Sequence, residues 1–167
     1  MDANALLNQL RRTSCRLVLA ESCTGGAVAA ALAAVPGASD VLAGSMVVYQ
    51  NASKVHWLDI DDGLIQRETA VSEPVARAMV HGALHRTPHA NVAAVITGHL
   101  GPNAPEGFDG VAFMAFGRID TDGGSPAVIC RKIQMKENWR EARQSEVASR
   151  LIQWIVERLA DQGEGTV

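Results

Sequence analysis

The chain has 167 residues, of which 47% are hydrophobic, 20% charged and 4% aromatic, with a formal net charge of −3. That length suits one domain, residues 1–167, with a core built from Ala, Val, Leu and Ile. The acidic balance argues against non-specific nucleic-acid binding, the early Asp2 against a secretory leader, and the lack of a long apolar run against a membrane span. Cys15, Cys23 and Cys130 follow no disulfide or zinc spacing, which fits a reducing, cytoplasmic setting.

Taken in chain order, Ala3 to Thr13 reads as an amphipathic helix with Leu6, Leu7 and Leu10 on one side. Arg16 to Ala20 reads as a buried strand. An alanine-rich helix, Ala27 to Ala34, follows and stops at Pro36-Gly37. Val41 to Tyr49 reads as a second strand, after which Asn51 is expected to cap a short helix. Asp59 to Glu68 reads as a polar connection, and Ser72 caps a helix carrying Pro74 in its first turn. Val92 to Ile96 is a buried strand ending in Thr97-Gly98, and a loop rich in Gly and Pro runs to Gly110. Val111–Phe116 and Ala127–Ile133 form a hairpin around Asp122-Gly123-Gly124. A last helix from Trp139 to Ala160 repeats Val147, Leu151, Trp154, Ile155 and Leu159 at helical spacing, and residues 161–167 read as a frayed tail. This order predicts an α/β protein, a three-layer α/β/α sandwich with a mixed sheet.

The richest stretch is Val18-Leu19-Ala20-Glu21-Ser22-Cys23-Thr24-Gly25-Gly26, where an apolar strand breaks into a polar turn and a helix begins. Such a turn lifts a side chain out of the sheet and leaves backbone N–H groups facing outward. Ser22 is placed for nucleophilic attack or for holding an anion. Read alone, it is also an ordinary helix cap.

Together with Pro36-Gly37-Ala38-Ser39, Tyr49-Gln50-Asn51-Ala52-Ser53-Lys54-Val55, Ala70-Val71-Ser72-Glu73-Pro74 and Ile96-Thr97-Gly98-His99-Leu100-Gly101-Pro102, this stretch resembles the CinA C-terminal domain family, the bacterial nicotinamide-nucleotide amidases. The resemblance implies metal-independent hydrolysis of the carboxamide of nicotinamide mononucleotide to nicotinic acid mononucleotide and ammonia. It implies no cofactor and a small-molecule nucleotide substrate, with no nucleic-acid or membrane partner; a homo-oligomer is compatible with it. It implies Ser22 as nucleophile, Lys54 as base and Tyr49 in support, with Ser39 and Thr97-Gly98 on the substrate. The chain departs from the family pattern at His99-Leu100, at Asn103 to Gly107, at Phe108-Asp109-Gly110, and before the last helix, where Glu137-Asn138-Trp139-Arg140 replaces a Gly-Asp-Arg motif. Arg143, or alternatively Arg140, is assigned the missing guanidinium.

The residue types suit this chemistry. A serine splits amide hydrolysis into acylation and deacylation, and needs a base. Lys54 serves only when neutral, which a helix N-terminus and burial against Val47 or Trp57 would favour. The backbone N–H groups of Cys23 and Thr24 would receive the oxyanion, and Gly25 and Gly26 would let substrate approach. Cys23 is a weaker candidate nucleophile, since a thiol at a helix start has a lowered pKa. His81 and His85, four apart, read as a solvated face rather than a zinc site. Competing functions are a non-catalytic nucleotide-binding module, an amidase for another substrate, and a partner-binding domain linked to DNA uptake or damage.

Overall fold

The computed structural model describes residues 2–119 and 124–161. Its centre is a five-stranded sheet of β1 (Leu17–Glu21), β2 (Leu42–Val47), β3 (Val92–Gly98), β4 (Val111–Arg118) and β5 (Ala127–Gln134), in the order β2-β1-β3-β4-β5. β1 is parallel to β2 and β3, while β4 is antiparallel to β3 and β5, so the sheet is mixed as expected. β1 is buried along its whole length because its two faces feed different cores. Leu17 and Leu19 pack with α1 (Ala3–Arg12), α2 (Ala27–Ala33) and α6 (Arg140–Asp161). Val18 and Ala20 pack with α3 (Asn51–Leu58), α4 (Asp62–Glu68) and α5 (Glu73–Arg86). Helices on both faces of the sheet give the three-layer α/β/α arrangement. Among the described residues, no helix is long and apolar enough to cross a membrane.

Most elements lie where the hydrophobic periodicity places them. Leu6, Leu7 and Leu10 of α1 and Val147, Leu151, Trp154, Ile155 and Leu159 of α6 are all buried. Ser72 caps α5 by accepting the Val75 N–H. Two local expectations fail. Asn51 is the first residue of α3 rather than its cap; Gln50 holds the cap position in extended geometry without a side-chain bond. The connection from Asp59 to Glu68 contains α4, capped by the Asp61 carboxylate on the Gly63 and Leu64 N–H groups and anchored by buried Ile65. Its polar residues concealed the two apolar anchors, buried Ile65 and half-buried Leu64. The expected turn at Asp122-Gly123 and the tail beyond Asp161 lie outside the described residues.

The connections place the site. From β1 the chain moves outward to the edge strand β2, then crosses back to β3 on the other side of β1. The segments leaving the carboxyl ends of β1 and β3 therefore diverge, and a crevice opens between them. The loop from His99 to Gly110 leaves the same end of β3. It is pinned at its base where the His99 N–H donates to the Val111 carbonyl and the Gly110 N–H to the His99 carbonyl.

Candidate active site

A cleft of about 240 Å³ opens at this crevice. Ser22 and Cys23 come from the end of β1, Tyr49 and Lys54 from the β2–α3 junction, Thr97 and Gly98 from the end of β3, and Arg140 from the start of α6.

The turn after β1 is organised by Glu21, which is fully buried. Its carboxylate accepts the N–H groups of Gly26 and Val28 at 3.1 Å and of Ala29 at 2.9 Å, and the Ser45 hydroxyl at 3.1 Å. An internal anion thus satisfies the N-terminus of α2. Gly26 takes φ of +99°, a left-handed value that a side chain would resist. The Gly25 N–H returns to the Ser22 carbonyl; the Cys23 N–H lies against its own Sγ, and among the described residues no backbone carbonyl takes the Thr24 N–H. Among the described residues the Thr24 hydroxyl is buried without a partner, while its carbonyl accepts from Gln144 at 2.8 Å.

Lys54 reaches into this turn from the first turn of α3 and is only 1% exposed. Its Nζ lies 3.1 Å from Ser22 Oγ and donates to the Val48 carbonyl at 3.0 Å. Removal from water pushes its pKa down from 10.5 to about 8. Val47 and Trp57, expected to bury it, are instead 37% and 53% exposed. The ordered main chain around Val48 and the β1 turn encloses it instead. The Cys23 thiol behaves opposite to the expectation of a helix-start nucleophile: burial raises its pKa to about 12, so it stays protonated.

Other predicted residues divide. Tyr49 lines the cleft but is 53% exposed, and its hydroxyl accepts from Arg140 Nη2 at 2.6 Å rather than holding Lys54. Thr97 and Gly98 line the cleft; the Thr97 hydroxyl donates to the Ala70 carbonyl at 2.8 Å. Gly98 is required by packing, since a Cβ there would lie 2.6 Å from the Ala112 Cβ on β4. Gly25 and Gly26 shape the turn but do not line the cleft.

Two of the residues expected on the substrate lie apart from the cleft. Ser39 sits in a short 3₁₀ turn just before β2. Because Leu42 pairs with Leu17 at the start of β1, Ser39 lies at the end of the sheet away from Ser22. The five residues of β1 separate them by roughly 15 Å at strand rise. Arg143 is also outside the cleft, with its guanidinium on Asp109 at 2.7 and 2.8 Å. The guanidinium that does reach the cleft is that of Arg140, which also donates to the Gly101 carbonyl.

Sequence reasoning did not assign Asn51, Val71 or Asn103, which also border the cleft. Asn51 and Val71 stood inside motif stretches without a role of their own, Asn51 being read as a cap, and Asn103 stood out only as a departure from the family pattern. His99 borders it too, with its pKa lowered by burial and its ring edge-on to Phe108 at 6.1 Å. His85 faces Asp59 at 3.8 Å, and among the described residues no group of three or more His, Cys, Asp or Glu side chains is placed to hold a metal ion.

Fold and site define a mixed-sheet α/β protein with a buried serine–lysine pair at its topological switch point. The chain belongs to the CinA family: the CinA C-terminal domain model matches residues 2–159. It is 40% identical over 136 residues to a CinA-like protein of Mycolicibacterium vanbaalenii, covering 81% of this chain and 32% of that protein. It is 38% identical over 129 residues to a CinA-like protein of Mycobacterium leprae, covering 77% of this chain and 29% of that protein. The chain thus spans about a third of the length of these curated relatives. Among solved structures, a competence-damaged protein (CinA) superfamily protein from Klebsiella pneumoniae superposes with a TM-score of 0.86 at 25% identity, covering 95% of this chain and 96% of that one. One from Escherichia coli superposes at 0.79 with 28% identity, covering 95% and 86%.

Proposed function

We propose that the chain is a serine/lysine amidohydrolase acting on the carboxamide of nicotinamide mononucleotide, releasing nicotinic acid mononucleotide and ammonia. The observation that carries this is the buried Lys54 Nζ, 3.1 Å from Ser22 Oγ with its pKa brought down to about 8. An ordinary surface lysine has almost no neutral form at pH 7, whereas burial, by lowering the Lys54 pKa to about 8, gives it a much larger share of free amine. The choice of nucleotide rests on the motif resemblance set out above.

In acylation, neutral Lys54 takes the Ser22 hydroxyl proton as Oγ bonds to the amide carbon. The carbonyl oxygen becomes an oxyanion and receives the N–H groups of Cys23 and Thr24, neither of which donates to a backbone carbonyl among the described residues. The carbon–nitrogen bond breaks, and the Lys54 ammonium returns the proton to the leaving amide nitrogen, which departs as ammonia. In deacylation, Lys54 takes a proton from water, the hydroxide equivalent attacks the ester, and Ser22 leaves with its proton restored. Glu21 keeps the turn in place, and Arg140 with Tyr49 forms the polar rim that meets the rest of the substrate.

Ammonia release from nicotinamide mononucleotide tests this directly. Turnover by the unaltered chain and none by Ser22→Ala is the expected result. Binding of the nucleotide without turnover, seen by calorimetry, would make the chain a nucleotide-binding module instead. Release from other amides alone would keep the chemistry and replace the substrate.

A further inference from the structure

The cleft wall opposite Ser22, from His99 to Ala104, belongs to a loop with little regular secondary structure. Such a wall needs an external support to hold one shape. Arg143 supplies several contacts at once. It is 7% exposed, and from α6 it reaches the loop at two points: Nη1 donates to the Leu100 carbonyl at 3.2 Å, and Nη1 and Nη2 grip the Asp109 carboxylate at 2.8 and 2.7 Å. Its Nε closes the set on the Glu137 carbonyl at 2.7 Å, just before α6. The loop is shaped around this guanidinium: a Cβ on Gly101 would stand 3.0 Å from Nη1, and one on Gly110 would stand 3.4 Å from Cζ. A planar fork meeting a carboxylate through two parallel bonds fixes direction as well as distance. The Asp109 side chain, by contrast, is 62% exposed and does not itself line the cleft, although its Oδ1 lies against Gly101, which does.

We propose that Arg143 and Asp109 are a positioning pair that sets the substrate-facing wall of the cleft, so that they govern how tightly substrate is held while leaving the Ser22–Lys54 chemistry to the opposite wall. This rests on the amidohydrolase function proposed above. The division follows from attachment. Ser22 and Lys54 hang from β1 and α3 and bond to each other rather than to Asp109, whereas Gly101 to Ala104 lie between the two points Arg143 holds and His99 directly precedes the first.

The test compares Asp109→Asn, Arg143→Lys and Arg143→Met with the unaltered chain, by ammonia-release kinetics on nicotinamide mononucleotide and by hydrogen exchange without substrate. Asp109→Asn changes an exposed side chain and keeps the fold accessible to measurement if Arg143→Met does not fold. The expected result is a KM raised about tenfold in Asp109→Asn with kcat within about twofold, the pattern of lost ground-state binding. Arg143→Lys, which keeps the charge but loses the fork, is intermediate. Combining Asp109→Asn with Arg143→Met adds nothing to Arg143→Met alone, as coupled partners require. Amides of residues 99–104 exchange faster in the variants, while those of residues 22–29 do not change. Unchanged KM with unchanged exchange at 99–104 would overturn the pair's role, and so would an equal loss in kcat with exchange altered across the whole cleft. If the unaltered chain releases no ammonia from any amide, the proposed function fails, and the exchange comparison alone then decides whether the pair holds the wall.

Discussion

The two walls of the cleft are held in different ways. The Ser22 wall is held mainly from within: Glu21 precedes Ser22 in the chain and binds N–H groups only five to eight residues away, with Ser45 on Glu21 and Gln144 on the Thr24 carbonyl as its more distant supports. The facing wall is held from a distance, with Arg140 bonded to Gly101 across 39 positions and Arg143 to Leu100 across 43. A turn stabilised by its own neighbours keeps its form wherever the strand before it ends in the sheet. A wall stabilised by a remote helix has a form only once that helix has docked. The first arrangement suits chemistry, which needs reacting atoms held closely. The second suits selection of substrate, because the support can change without disturbing the nucleophile.

The strongest way to break the chemical wall is Ser22→Ala. It removes the attacking oxygen and should lower ammonia release by roughly 10⁴-fold or more, with an unchanged circular dichroism spectrum. Lys54→Met should cost roughly 10³-fold or more in kcat/KM by removing the base. In the unaltered chain, kcat/KM should climb about tenfold per pH unit up to about pH 8 and then level, following the neutral amine.

The same lysine links activity to stability with a definite sign. The unfolded chain keeps the Lys54 proton up to 10.5, whereas the folded chain keeps it only to about 8. The folded state therefore bears the full burial penalty below pH 8, and stability rises as pH goes from about 8 toward 10.5. Lys54→Met should raise the unfolding free energy at pH 7 by on the order of 3 kcal/mol at most, and should flatten this dependence. A fall in Tm for Lys54→Met at pH 7, measured by calorimetry, would contradict that account.

Glu21→Ala sharpens the comparison from the other side. It strips four hydrogen bonds from a buried turn and should cost about 3 kcal/mol in denaturant unfolding. Activity should fall with it, because Ser22 shares that turn. The smallest effect belongs to Ser39→Ala: lying at the far end of the sheet, the change should leave kcat and KM within about twofold. A tenfold rise in KM there would mean that substrate extends well past the cleft.

What could be read in advance was whatever short-range pattern encodes. The unbroken apolar run from Leu17 to Ala20 marked a buried strand, and helical spacing marked α1 and α6. The Ser22 turn was legible because strand, polar break, glycines and helix succeed one another within a dozen residues. α4 was missed because one adjacent pair of apolar residues, Leu64 and Ile65, in a single short helix gives no repeat at helical spacing. Arg143 was misplaced for a related reason. Two arginines three positions apart on a helix look equivalent in sequence, and only the position of Asp109 shows which one is occupied and which one meets the cleft.

Local order along the chain therefore specified the strands, the helices and the Ser22 corner, since backbone periodicity and turn geometry depend on residues within about one helical turn of each other. The meeting of Ser22 with Lys54, 32 positions apart, was decided by the parallel register of β1 and β2, which carries α3 back over the first turn. The lowered pKa of Lys54 arose there as well, because desolvation is a property of everything packed around the amine and not of the lysine or its neighbours in sequence.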